Sequence, residues 1–103
     1  MKKLFIAAFM FVSTFGTNVM ADGHAIKMGI ILGFTGPIES LTPAMAGSAE
    51  LAFKEASDSG SLLGGKKIEV VRADSTCVDS AAATAAAEGV ISQGVAAIMG
   101  ADC

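Results

Sequence analysis

The 103-residue chain has no tryptophan and no tyrosine, one histidine, two cysteines and two prolines. Without Trp or Tyr for stacking, and without a basic cluster, it lacks the features by which proteins grip nucleic acid. Its one histidine, His24, lies near the N-terminus, away from any pattern that would make it a general base or a metal ligand. No Cys-x-x-Cys pair is present, which excludes the common dithiol redox motif. No serine sits in a nucleophile elbow. After the N-terminal segment there is no second long apolar run, so nothing later in the sequence is long enough to span a bilayer.

The N-terminal segment is the clearest feature. Lys2 and Lys3 precede an uncharged run from Leu4 to Phe15, broken only by Ser13 and Thr14. A small-residue pattern, Val19-Met20-Ala21, follows. These are the three parts of a cleavable secretory signal, with the cut expected after Ala21 and a weaker alternative after Ala25. The apolar run is shorter than the roughly 18 residues that a membrane anchor needs. No cysteine lies near the cut, so a lipid-anchored product is not expected. Residues 22–103 keep five basic and ten acidic side chains, a net charge of −5, which argues against nucleic acid or an anionic membrane surface as partner. The ending Gly100-Ala101-Asp102-Cys103 follows an apolar run directly, and the sequence is read as the front of a longer protein.

Cys77 and Cys103 therefore belong to a chain expected to leave the cytoplasm, where disulfides persist. Paired, they close a loop of about 26 residues, worth about 3 kcal/mol from chain entropy. Metal binding is the poorer alternative, because no histidine lies near them.

The remaining sequence alternates between two periodicities. Ile26 to Phe34 is an apolar run fit for a strand buried on both faces. Thr42-Pro43 reads as a helix start, with Thr as the cap and Pro in the first turn. Met45, Ala49, Ala52, Phe53 and Ala56 mark the buried stripe, Glu50 and Lys54 form an ion pair one turn apart, and residues 57–60 end the helix. Lys67 to Ala73 is a second strand. Asp79 or Ser80 caps a helix over Ala81–Gln93, whose buried face comprises Ala83, Ala86, Ala87, Val90 and Ile91. Gly94 stops it, and Val95–Met99 is a third strand. The order β-α-β-α-β predicts an α/β fold of three layers, a parallel sheet flanked by helices and joined by right-handed crossovers. Ligands of such sheets bind at the carboxyl ends of the strands, here residues 33–41, 74–79 and 100–103.

Two phosphate-binding patterns fail. Gly29, Gly33 and Gly36 lack the G-x-G-x-x-G spacing, and Gly60 to Lys66 leads from helix into strand, the reverse of a Walker loop. Asp74 and Asp79 flank Cys77 but read as loop caps, so no catalytic residue is assigned and no cofactor or metal is implied. The loop after the first strand is the better candidate. Phe34, Thr35, Glu39 and Ser40 bring an aromatic ring, hydroxyls and backbone N–H groups to a strand end, where a small polar ligand could sit.

Several segments together resemble one family. Ile26-Lys27-Met28-Gly29 with Thr35-Gly36-Pro37, the helix Gly47 to Glu55, Gly64-Gly65-Lys66-Lys67-Ile68-Glu69-Val70-Val71 leading to Asp74, and Gly94 to Gly100 occur in order. Residues 22–103 resemble the N-terminal lobe of periplasmic solute-binding proteins of the leucine/isoleucine/valine-binding type. That resemblance implies a free periplasmic protein, not an enzyme, that passes amino acids or similar small polar solutes to the membrane permease of an ABC importer. It also implies a disulfide Cys77–Cys103, and solute contacts from the loop around Phe34, Thr35, Glu39 and Ser40 and from Ala101, Asp102 and Cys103. The sequence departs from the family in lacking an Asn in Glu55-Ala56-Ser57-Asp58 and in having Val78-Asp79-Ser80 where Asp-Pro is common. The alternative from another class is a secreted α/β enzyme or a sensor ectodomain, with its functional residues beyond residue 103.

Overall fold

A computed structural model describes residues 25–103; the expected signal segment and His24 lie outside the described residues. The elements alternate as the sequence predicts: strand β1 (Ala25–Leu32), helix α1 (Thr42–Asp58), a short 3-10 turn (Leu62–Gly64), strand β2 (Lys67–Asp74), helix α2 (Ser80–Ser92) and strand β3 (Ala97–Met99). The sheet is wholly parallel with β1 in the middle, in the order β2-β1-β3.

Because side chains alternate across a strand, β1 serves two helices. Ile30 and Leu32 point to one face, where they cluster with Ala46 of α1; Phe34, Ala49, Phe53, Val70 and Met99 surround that cluster. Gly29 points to the other face, where an added Cβ would lie 3.2 Å from Ile98 and 3.4 Å from Val90 of α2. The missing side chain of Gly29 lets α2 approach the sheet closely. Ile30, Leu32 and Val90 are almost completely buried. Burying each such side chain stabilises the fold by roughly 1.5–3 kcal/mol relative to exposure.

Several local expectations are corrected. β1 ends at Leu32, not Phe34, because the Gly33 amide leaves the ladder to bond Asp102. Thr42 is not the cap of α1. It is fully buried, and its hydroxyl donates to the Gly33 carbonyl at 3.0 Å, while Leu41 takes the cap position with no side-chain bond. The fully buried residues of α1 are Thr42, Ala46 and Ser57, and Ala49 and Phe53 pack against the core as expected; Met45 is 43% exposed, one residue out of phase, and Ala52 is exposed as well. Ser57 earns its place by accepting the Ile68 amide at 2.8 Å, which ties the end of α1 to the start of β2. Glu50 does not pair with Lys54: it bonds Arg72 of β2, and Lys54 pairs with Asp58. On α2, Val90 takes the sheet and Ile91 is 62% exposed. Val95 and Ala96 lie outside β3.

Other expectations hold. Asp79 caps α2 by accepting the amides of Ala81 and Ala82. Gly94 follows the helix with φ of +78°, the left-handed turn that ends helices.

Candidate functional site

Three loops meet at the carboxyl ends of the strands, and the middle strand is where they meet. Gly33 is held from both sides: its amide donates to the Asp102 carboxylate at 3.1 and 3.3 Å, and its carbonyl accepts from Thr42. Two residues on, the Thr35 hydroxyl donates to Asp74 Oδ2 at 2.6 Å and the Thr35 amide to Oδ1 at 3.3 Å. Asp74 also accepts the Thr76 amide at 2.8 Å. One carboxylate thus organises the loops after β1 and β2. The Thr35 hydroxyl, helped by the Thr76, Thr35 and Phe34 amides, holds the Asp74 carboxyl below its ordinary pKa, against a partial opposing effect of burial.

The second loop has an uncommon backbone. Thr76 and Cys77 have φ of +59° and +68°, a left-handed conformation that costs L-residues roughly 1–2 kcal/mol each. Three restraints hold it there. Asp74 binds the Thr76 amide, Gly36 packs so closely under the Thr76 carbonyl oxygen that a Cβ would overlap it, and Cys77 is joined to Cys103 with the Cα atoms 5.5 Å apart. The expected disulfide is present. Asp102 lies with these two sulfurs as a cluster of metal-ligand types, but sulfurs bonded to one another have no thiolate to offer an ion.

Beside the disulfide is an open cleft of about 270 Å³, lined by Ser75, Cys77, Val78, Asp79, Ser80, Ala83 and Cys103. The hydroxyls of Ser75 and Thr76 are buried with no hydrogen-bond partner among the described residues.

A family model described as "Periplasmic binding protein" matches residues 25–102. The chain belongs to the periplasmic binding protein family. No curated protein matches it. Membership gives this periplasmic binding protein a solute-binding role, with a small-molecule ligand and a membrane transporter as the implied partners. The family is one of binding proteins rather than enzymes. The three-stranded parallel sheet with flanking helices is the start of a lobe of that fold.

The residues singled out from sequence gather in part. Phe34 is half-buried, with its ring against the α1 side of the core and the Arg72 guanidinium 5.3 Å from its centre. Thr35 is exposed and bound to Asp74; Glu39 and Ser40 are exposed on the same loop. Ala101 and Cys103 are exposed, and Asp102 is tied to Gly33. Of these seven, only Cys103 lines the cleft. Ser75, Val78, Asp79, Ser80 and Ala83 were not singled out as ligand residues. The signal for them was present, because residues 74–79 form one of the three strand-end loops. Asp74 was visible as a strand end, but its bridge to Thr35, 39 residues away, leaves no local pattern.

Proposed function

We propose that this periplasmic binding protein captures an amino acid of the branched-chain type, or a similar small polar solute, and delivers it to the permease of an ABC importer. In this reading residues 1–21 are a cleaved secretory signal, and residues 22–103 belong to the N-terminal lobe of a two-lobe leucine-binding-like protein. Solute lies across the strand ends, touching Phe34, Thr35, Glu39 and Ser40 on one side and Ala101, Asp102 and Cys103 on the other.

The observation that carries the reading is the convergence of the three strand-end loops on Gly33 and Thr35. Their charge supports the solute class. The loops contain Glu39, Asp74, Asp79 and Asp102 and no lysine, arginine or histidine, which suits a solute bearing an ammonium or amide donor. The Thr35 O–H is already given to Asp74, so its lone pairs remain to accept from such a donor.

The test is calorimetric titration of the purified full-length protein with L-leucine, L-isoleucine, L-valine, acetamide, urea and benzoate. Saturable binding of an amino acid, weakened by Phe34→Ala, is expected. If none of the six binds, the reading fails. Mass spectrometry of the exported protein should find a mature chain starting at Asp22.

A further inference from the structure

We propose that Arg72 and Glu50 are a positioning pair for solute capture, fixing the Phe34 ring and through it the first strand-end loop. The proposal rests on the reading above, in which that loop touches solute.

The geometry is specific. Arg72 projects from β2 to the α1 face, where its Nε donates to Glu50 Oε1 at 2.6 Å and its Nη2 to Oε2 at 2.8 Å. Both carboxylate oxygens and one edge of the guanidinium are engaged, so the plane of the cation is set as well as its position. Its carbon lies 5.3 Å from the centre of the Phe34 ring, within the range in which a cation is drawn to an aromatic face. The ring also packs against the cluster of Ile30, Leu32 and Ala46. Phe34 is therefore held between the core and an oriented cation. The backbone on either side of it is already tethered, Gly33 by Asp102 and Thr35 by Asp74. Arg72 supplies the remaining restraint, on the side chain.

The two side chains are 43% and 35% exposed, so solvent screening limits what the pair adds to folding, although its bidentate geometry keeps part of that contribution. Glu50 also has a local partner available in Lys54, which instead pairs with Asp58. A two-toothed contact between elements 22 residues apart fixes a direction, which is what a binding loop needs.

The experiment uses the full-length protein and the tightest-binding member of the six-solute panel. Arg72→Gln should weaken that solute about two- to fivefold, the range expected from loss of an exposed cation–aromatic contact. Arg72→Lys, which keeps the charge but loses the fork, should restore affinity only in part. The decisive variant is the exchange Glu50→Arg with Arg72→Glu. It rebuilds the ion pair but turns a carboxylate toward Phe34, so the melting temperature should return to the wild-type value while affinity stays low. Ring-proton shifts of Phe34 should follow the affinity and not the melting temperature. If the exchange restores affinity along with stability, or if Arg72→Gln binds as tightly as wild type, the pair is only a surface bridge and the proposal is wrong. If the wild-type protein binds none of the six solutes, the functional reading itself fails.

Discussion

The Asp74 carboxylate accepts the hydroxyl of Thr35 at 2.6 Å across 39 residues of sequence, joining the loop after the edge strand to the loop after the central one. The same carboxylate accepts the Thr76 amide within its own loop. Its lone pairs do in one place what two separate caps would otherwise do.

This bond gives the loops a defined pH dependence. The Asp74 pKa is lower in the folded protein than in the unfolded chain, chiefly through the Thr35 hydroxyl. Its contribution is therefore complete above the unfolded value and is lost as pH falls through the lower folded value. Amide exchange at Thr35 and Thr76, with intrinsic rates corrected for pH, should stay slow through the ordinary carboxylate range and speed up only below it. Asp74→Asn should abolish that transition. Coincident exchange profiles for wild type and variant would show that Asp74 does not hold the loops.

Two glycines with positive φ should respond unequally to alanine. Gly94 has φ of +78° with open space around it, whereas Gly36 has φ of +98° and faces the Thr76 carbonyl oxygen. Gly94→Ala should cost about 1 kcal/mol from backbone conformation alone. Gly36→Ala adds an overlap with backbone, which cannot rotate aside, and should cost clearly more. Denaturant midpoints compare the two directly. Equal losses would mean that the two loops are not in close contact.

Removing the Cys77–Cys103 bridge should release the left-handed turn at Thr76 and Cys77. Replacing both cysteines by serine should destabilise the protein by about 3 kcal/mol on the loop-entropy estimate. The Gly33 amide should lose exchange protection as well, because its partner Asp102 adjoins Cys103. An unchanged denaturant midpoint would argue that the other two restraints on the turn suffice.

Much of the fold was legible because β1, β2 and the two helices carry their own periodicity. Ile30, Ile31 and Leu32 announce a strand buried on both faces, and Asp79 stands where a helix start needs an acceptor. What was misread depends on partners far along the chain. Thr42 looks like a cap because its local setting is that of a cap; its hydroxyl turns inward to a Gly33 carbonyl left unpaired where β1 ends. Within the α1 stripe Ala49 and Phe53 face the core as expected, but Ala46 is buried in place of Met45, since local spacing does not choose between adjacent residues. The face opposite Ile30 and Leu32 admits the smaller side chain. Glu50 and Lys54 have the right spacing for each other, yet Arg72 on a neighbouring strand offers the better geometry. The candidate site was legible as three strand ends. The cleft beside Ser75 and Asp79 was not, because it depends on how α2 leaves the second loop.

The bond between Gly33 and Asp102 spans 69 residues, and this has a kinetic consequence. Bonds within α1 and α2 join near neighbours and can form early, whereas ordering a contact of such long range costs loop-closure entropy that only later packing offsets. As the chain emerges from N-terminus to C-terminus, β1 must wait for β3 before Gly33 finds its carboxylate. The tie between the first loop and Asp102 is therefore among the last contacts within residues 25–103 to form.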